Sequence, residues 1–310
     1  MKFLLTLMFL GFCIFGCSTA SYREGYGALK SGKELSAPKQ SILNRRYQDG
    51  EVIKYHIYHS YFENGVLKEI QEGNALSKTV AEPAGGFHES VTWKRLTSNG
   101  KEVKADPNYK QILTLDPKSK LKMAIPPPTM MNRLVFDTLN FFANEFVAIS
   151  KANLIQPGDH ALLNGKGVNS WKNPQTGIIL GADCLDYDVM LLALNGRHAT
   201  VRVVNIPPLS ACEIALPEGN WSWLKNQLGE PENNLFQIQK QADGKFMAFS
   251  GIEIVDTIMQ IDIESGKILS ASMHNPVVRQ VAICYDEKGN GCEKPKQESL
   301  SGETFLNIEL

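Results

Sequence analysis

Short runs of β-forming residues, separated by two-residue turns, recur along most of the chain after residue 50. The clearest turn signal is Asn195-Gly196, which lies between the runs 186–194 and 197–206. Asn-Gly pairs favour the tight turns that join neighbouring antiparallel strands. The pattern therefore predicts hairpins and meanders, with further strands at 52–59, 66–70, 91–96, 111–115, 236–241, 245–249, 252–263, 267–273, 277–285 and 304–308.

One segment departs from the β pattern. Three consecutive prolines, residues 126–128, end the preceding run because proline has no backbone N–H to donate. After them, apolar residues recur with a helical period, and Phe141 widens the apolar stripe formed by Val135, Leu139, Phe142, Phe146 and Ile149. We expect an amphipathic helix over residues 132–150.

These patterns together predict a mainly β protein with one or two helices. The expected architecture is a large curved antiparallel sheet or half-barrel packed on one amphipathic helix. A β-sandwich with a helical insertion is the alternative. By fold-level analogy, the expected half-barrel resembles the periplasmic carriers of lipids and lipoproteins, although this chain matches none of their motifs.

The first residues have the pattern of a secretory signal peptide. Lys2 precedes an apolar run of about 13 residues, 3–15, which is too short to span a bilayer comfortably. Residues 14–17, Ile-Phe-Gly-Cys, resemble the lipobox of bacterial lipoproteins. The resemblance implies that Cys17 becomes the acylated N-terminus. The alternatives are ordinary cleavage after Ala20, an uncleaved anchor, and lipidation at Cys13.

The lipobox resemblance also implies a location. Ser18 follows the cysteine, and in this class a residue other than aspartate there suggests sorting to the outer membrane. We therefore expect a lipid-anchored protein of the cell envelope, facing the periplasm and bound to the membrane through its N-terminal lipid. The expected organisation is a signal peptide at 1–16, a flexible tether at 17–44 and a single β-rich domain at 45–310.

The charge balance bears on possible partners. The chain has 32 Lys and Arg against 33 Asp and Glu, and no basic cluster is interleaved with aromatic residues. Nucleic-acid binding depends on neutralising phosphates with Lys and Arg. The sequence therefore gives no reason to expect a nucleic-acid partner.

Four cysteines remain in the expected domain: Cys184, Cys212, Cys284 and Cys292. An even number in an exported chain favours disulfides, and four cysteines allow three pairings. The pairings that close the shortest loops join Cys284 to Cys292 and Cys184 to Cys212. A metal site is not expected, because the chain has neither a CxxC pair nor a histidine at ligand spacing.

Other candidate sites are weak. Asp183, Asp186 and Asp188 are interpreted as solvated carboxylates at the start of a strand, and residues 286–291 as a turn closed by a disulfide rather than a calcium loop. His56 and His59 should face opposite sides of one strand. The chain carries none of the common hydrolase or nucleotide-binding motifs, so no catalytic residue and no cofactor are expected.

The remaining functional signal is the cluster of aromatic residues and methionines on and before the predicted helix. Adaptable thioethers and aromatic rings suit an apolar groove, although the same residues also suit core packing. The groove candidates are Phe142, Phe146, Phe141 and Met131. We expect a non-enzymatic protein that binds a lipid, an acyl chain or a partner's hydrophobic segment between sheet and helix. A structural or assembly protein of the envelope is the alternative, and a hydrolase without a known motif is the weaker one.

Overall fold

The structure, a computed structural model, describes residues 43–119, 133–163, 169–174, 177–208, 214–225 and 233–309. They belong to one compact unit, Leu35–Leu310. The first strands and the helix are β1 Val52–Glu63, β2 Val66–Ala81, β3 Phe87–Ser98, β4 Lys101–Val103, β5 Gln111–Leu113 and α1 Arg133–Lys151. The later strands are β6 His160–Leu163, β7 Asn169–Asn173, β8 Ile178–Asp183, β9 Asp186–Asn195, β10 His198–Ile206, β11 Leu235–Lys240, β12 Phe246–Glu253, β13 Val255–Asp262, β14 Lys267–Cys284 and β15 Lys296–Glu309.

All 15 strands belong to one open antiparallel sheet. From β4 the order is β4-β3-β2-β1-β15-β14, and at β14 the sheet divides. One arm continues through β13, β10, β9 and β6, and the other through β12, β11, β8 and β7. The predicted mainly β fold with one helix is confirmed. The sandwich alternative is wrong, because hydrogen bonding joins every strand into a single sheet.

The division of the sheet follows from one long strand. The first half of the 18-residue β14 pairs with β13 and its second half pairs with β12. The two partners are consecutive in the chain, and only Ile254 separates them. Pro276, which has no N–H to donate, lies at this junction, and its carbonyl accepts the N–H of Ile254.

Two Asn-Gly turns form where the sequence predicts them, although β12 runs without a break across the gap expected between 249 and 252. Asn64 and Gly65 join β1 to β2 with φ values of 50° and 75°. Left-handed backbone of this kind is what a two-residue hairpin turn requires, and asparagine and glycine adopt it at least cost. The hairpin predicted at Asn195-Gly196 also forms: Gly196, with φ 59°, and Arg197 join β9 to β10, so the strongest hairpin signal of the sequence is confirmed.

The helix α1 packs on one face of the sheet and shares one hydrophobic core with it. This core includes buried residues from α1 together with residues from β1, β2, β3, β9, β10, β13, β14 and β15. A sheet whose strands contact one helix from both sides must curve around it. The core therefore lies between α1 and the face of the sheet that carries it, which we call the helix-side face.

Polar contacts fix the first turn of α1 to the sheet. The N–H of Leu134 donates to Gln71 Oε1 at 2.7 Å, and Gln111 Nε2 donates to the carbonyl of Val135 at 2.9 Å. The first turn of a helix has unpaired N–H groups, so the Gln71 contact satisfies one of them. Gly73 makes room for this end of α1, because a Cβ there would lie 2.7 Å from the Trp93 ring and 3.1 Å from Leu134.

A second, smaller core lies on the other arm of the sheet. It contains Trp221, Phe236, Ile238, Phe246 and Cys284 among its buried residues. Trp221 precedes a short 3₁₀ helix, Ser222–Lys225. The disulfide between Cys284 and Cys292 lies at the edge of this core, as the sequence predicts.

Candidate ligand-binding site

The helix-side face of the sheet changes from apolar to polar along the strand direction. One row across six strands consists of Ile57, Leu306, Ala271, Met259, Val201 and Leu191, and we call it the apolar row. Two residues further along each strand, the next row on this face contains His59, Thr304, Met273, Thr257 and Val203. Since side chains on a strand alternate between faces, both rows point toward α1.

The third row is more polar than the first. It contains Tyr61, Gly302, Asn275, Val255, Asn205 and Tyr187, again on the helix-side face. We call the second and third rows together the polar end of this face. An apolar surface that ends in buried polar groups suits a molecule with an apolar chain and a polar head, because each part then meets groups of its own polarity.

His59 occupies the polar end near the start of α1. The side chain is 1 % exposed, and its Nδ1 lies 2.9 Å from the hydroxyl of Thr304. Its Nε2 lies 3.4 Å from the carboxylate of Asp137 on α1, within ion-pair distance but without the geometry of a hydrogen bond. Gly302 gives the ring its space, because a Cβ there would lie 3.1 Å from His59 Cε1.

The protonation of this pair depends mainly on burial. Burial, with the nearby positive charge of Arg133, lowers the pKa of His59 to about 4. Burial also raises the pKa of Asp137 to about 7, against the opposing effect of Arg133. About a quarter of the Asp137 side chain nevertheless remains exposed. Near neutral pH the pair is therefore a neutral imidazole beside a carboxyl group that is close to titration.

Arg133 adds the cation at this end of the site. Its guanidinium lies over the ring of Tyr61, with 3.4 Å between Cζ and the ring centroid. Such stacking holds a guanidinium in a fixed plane while leaving its N–H donors free to bind. The start of α1 thus combines a positioned cation with the His59–Asp137 pair.

Glu145 is the second buried carboxyl group that α1 contributes. The residue is 0 % exposed, and neither carboxylate oxygen receives a hydrogen bond of good geometry in the described structure. The Thr257 hydroxyl is close enough to lower the pKa of this carboxyl, but burial dominates and raises it well above its ordinary value. A buried carboxyl without a full set of partners is costly for a fold to retain, so Glu145 is a candidate site residue.

Tyr187 lies within electrostatic reach of Glu145, and Asn205 is the cross-strand neighbour of Tyr187. Asn205 on β10 is directly opposite Tyr187 on β9 and is one step diagonal from Thr257 on β13. Asn205 is 1 % exposed, and both polar atoms of its side chain lack hydrogen-bond partners in the described structure. The pKa of Tyr187 is raised by burial and then by the charges of Asp183 and Glu145.

A third carboxyl group lies where the sheet divides. Asn275 Nδ2 donates to Glu253 Oε1 at 3.0 Å and to the carbonyl of Ile254 at 2.9 Å. Burial raises the pKa of Glu253 to about 7, and the charges of Asp183 and Asp137 add to the rise. The charges of Asp183 and Asp137 thus reach the carboxyl group of Glu253.

The predicted groove residues lie on α1, two of them in the core. Phe141 is 2 % and Phe142 is 1 % exposed, whereas Phe146 is half-buried against the same core. The Phe142 ring meets Tyr55 edge-on at 6.0 Å between centroids and meets Phe141 at 5.3 Å. Met131 lies outside the described residues. Of the described candidates, Phe146 is the most exposed.

The cysteines follow the predicted pattern as far as the described residues extend. Cys284 and Cys292 are joined by a disulfide, and the turn between them is held by the Asp286 carboxylate, which accepts the N–H groups of Lys288 and Asn290 at 2.9 Å. This confirms a disulfide-closed turn. Cys184 is also disulfide-bonded. Its expected partner Cys212 and the expected lipidation site Cys17 lie outside the described residues, so these two assignments stay predictions.

Two sequence interpretations concern histidines and aspartates near the strands. His56 and His59 lie on opposite faces of β1, as predicted, and His56 pairs with Glu72 at 3.0 Å on the exposed side. The interpretation of Asp188 as solvated is wrong. Asp188 is 0 % exposed and lies 3.0 Å from His160 Nδ1, because β6 covers this part of β9.

Neither a metal-binding group of side chains nor a membrane-spanning helix is found among the described residues. Within the described ranges, no group of three or more His, Cys, Asp or Glu side chains is arranged to hold a metal ion. Of the helices that the structure describes, none is long and apolar enough to cross a membrane.

Sequence reasoning missed the buried polar groups of this site. His59, Glu145 and Asn205 are far apart in the chain, and each reads as an isolated polar residue in an apolar segment. The available signal was in α1, where Asp137 and Glu145 interrupt the flanks of the apolar stripe. Charged residues on a mostly buried helix must meet the core, and this points to a function or a partner.

Comparisons with known proteins add little. No family model matches this chain, and no curated protein matches it. Among solved structures, the chain is similar to OmpT, an outer membrane protein from Vibrio cholerae in its trimer form, at 8 % sequence identity and a TM-score of 0.14, covering 84 % of this chain and 100 % of that chain. A score this low carries no argument about fold or function.

Proposed function

We propose that this protein is a lipid-anchored binding protein of the bacterial cell envelope, and that it holds an apolar ligand between α1 and the helix-side face of its sheet. The observation that carries the proposal is the polarity of that face. It is apolar along the row from Ile57 to Leu191 and ends in the buried polar groups of His59 and Asn205. A lipid or another amphiphile has this same division of polarity.

The attachment of α1 supports a binding role. The polar contacts of Leu134, Val135 and Arg133 hold the first turn of the helix to the sheet. Beyond that turn, α1 meets the sheet mostly through apolar side chains, which are non-directional contacts. An apolar ligand would enter where the later turns of α1 move away from the sheet, and its chain would replace the buried apolar contacts that those turns lose.

The proposed location rests on the sequence. The lipobox-like segment would attach Cys17 to a membrane, and the tether at 17–44 would allow the domain to reach ligands near the membrane surface. A tether of this length suits a carrier or receptor of amphiphiles, which would obtain its ligand from that membrane.

A fluorescence titration tests the proposal. The mature protein should take up an apolar fluorescent probe, and Phe146→Ala should weaken that uptake several-fold because Phe146 is half-buried on α1. The matched control is Phe305→Ala, since Phe305 is 40 % exposed on the opposite face of the sheet. Equal uptake by the two variants, or no uptake by the wild-type protein, would contradict the proposal.

A specific observation also favours an assembly role as the second candidate. On the face opposite α1, Tyr58, Phe305 and Ile258 are 36 %, 40 % and 45 % exposed, and the rings of Tyr58 and Phe305 are 6.2 Å apart. Exposed apolar groups that lie together mark protein contacts in many proteins. Retention of one envelope protein by the wild type, lost in Tyr58→Ser, would favour this role.

A further inference from the structure

We propose that Glu145, with Asn205 and Tyr187, binds a primary ammonium group, so that the ligand of this protein is an amine-bearing amphiphile. This inference rests on the proposed function, because it assigns the head group of the ligand whose apolar chain lies along the apolar row. The ammonium site would make the protein prefer a positively charged head group, which an apolar groove alone would not do.

The geometry around Glu145 provides acceptors that have not been used. No hydrogen bond of good geometry reaches either carboxylate oxygen of Glu145 or the side-chain oxygen of Asn205 in the described structure, although the Thr257 hydroxyl lies close to Glu145. Both residues are at least 99 % buried, so they do not obtain these bonds from bulk solvent. A primary ammonium group carries three N–H donors and no acceptor, which matches a set of oxygens in one place.

The neighbouring residues favour a cation over a neutral head group. Tyr187 lies directly opposite Asn205, and its hydroxyl oxygen can accept a further bond. The charges of Asp183 and Glu145 both act on Tyr187. Arg133 is the nearby cation of this end, but it is positioned on Tyr61 at the first turn of α1, three helical turns from Glu145. The region of Glu145 is therefore acidic.

Protonation explains how the site exists without its ligand. Burial raises the pKa of the Glu145 carboxyl well above its ordinary value, which lessens the cost of keeping this acid in the core without its ligand. An ammonium group that enters the site favours the ionised carboxylate, and the resulting charge-assisted hydrogen bonds are stronger than those between neutral groups. Binding of the ammonium group thus offsets the free-energy cost of burying the Glu145 carboxyl.

Calorimetric titration of the mature protein tests the inference with two probes that share one chain. Dodecylamine and dodecanol differ only in the head group, and ethylamine supplies the ammonium without the chain. We expect the wild type to bind dodecylamine about tenfold or more tightly than dodecanol, the range of a charged hydrogen bond. Ethylamine should bind much more weakly than dodecylamine because it lacks the apolar chain.

Glu145→Gln keeps the shape of the side chain and removes its charge. It should abolish the preference for dodecylamine and leave dodecanol binding unchanged, and thermal unfolding should show a melting temperature at or above that of the wild type. Glu303→Gln is the control, since Glu303 lies half-buried on the opposite face of the sheet. Asn205→Ser should weaken dodecylamine binding several-fold. This second variant tests the ammonium site even if Glu145→Gln does not fold.

The outcomes separate this inference from the proposed function. Equal binding of dodecylamine and dodecanol by the wild type would overturn the ammonium site and leave the apolar-ligand function standing. An undiminished preference in Glu145→Gln would also overturn the site. Tight binding of ethylamine without any benefit from the dodecyl chain would support the ammonium site and overturn the apolar-ligand function. Failure of all three probes to bind would overturn both.

Discussion

Truncation of Phe142 tests how α1 is packed against the sheet. Its ring is 1 % exposed and meets the rings of Tyr55 and Phe141 edge-on. Removal of a buried phenylalanine ring costs about 3–5 kcal/mol, from lost burial and from the cavity that remains. The edge-on contacts with two other rings place Phe142→Ala toward the upper part of this range, since aromatic pairs add about 0.5–1.5 kcal/mol each.

Urea unfolding followed by circular dichroism measures this loss. A cost of that size in a domain of this length corresponds to a decrease of about 6–20 °C in melting temperature, at about 2–4 °C per kcal/mol. Phe305→Ala is the control, because that ring is 40 % exposed on the opposite face, and its truncation should cost less than about 1 kcal/mol.

A small effect would refute the reasoning. If Phe142→Ala costs no more than Phe305→Ala, the ring does not fill the space between α1 and the sheet. Phe142 would then line an accessible groove, as the sequence alone predicts, and α1 would be held by other contacts.

Three further predictions concern charge, the disulfide and the membrane anchor. Asp137→Asn should stabilise the protein at pH 8 relative to the wild type by about 1–3 kcal/mol, because the raised pKa of Asp137 means that the wild-type fold prefers the protonated acid. This is less than the full value of the pKa shift, since a quarter of the Asp137 side chain is exposed. The gain in stability should disappear as the pH falls from 7 toward 4. Replacing Cys284 and Cys292 with alanine should cost about 2.5 kcal/mol in chemical denaturation, since the bond closes a loop of about nine residues; no loss would show that the turn holds without it. Intact-mass analysis of the membrane fraction should find a mature chain that begins at a diacylglyceryl-modified Cys17, and a soluble product that begins at Ser21 would contradict the lipid anchor.

Local signals predicted most of the fold. Asn195-Gly196 and Asn64-Gly65 identify their hairpins because a two-residue turn needs backbone that these residues adopt easily. The apolar period identifies α1, which begins at Arg133 and ends at Lys151, each within a residue of the predicted bounds.

The errors have physical causes in the tertiary structure. The sequence predicts separate strands at 267–273 and 277–285, but β14 is continuous across Pro276 because the neighbouring strand is interrupted there at Ile254. The short strands β6, β7 and β8 were missed. A run of four to six residues with glycine or asparagine at its ends has little period of its own, and it becomes a strand only when a partner pairs with it.

The candidate site was beyond sequence reasoning for a different reason. His59 and Asp137 are 78 positions apart in the chain, and the distance of 3.4 Å between their side chains exists only because α1 crosses the face of the sheet. The sheet register then places Asn205 beside Tyr187 and one step from Thr257. Pattern along the chain predicts elements, whereas this site depends on the order of strands in the sheet.

Solvent extraction of the purified, lipidated protein followed by mass spectrometry tests the central claim most directly. The account predicts a co-purifying amphiphile in near-stoichiometric amount, with an apolar chain and an amine-bearing head group. The same extraction from folded Met259→Lys protein, which places a charge on the apolar row, should yield none of this amphiphile. Extracts that contain no such molecule from the wild-type protein, together with an unchanged melting temperature when dodecylamine or dodecanol is added, would contradict the claim that the space between α1 and the sheet is a binding site.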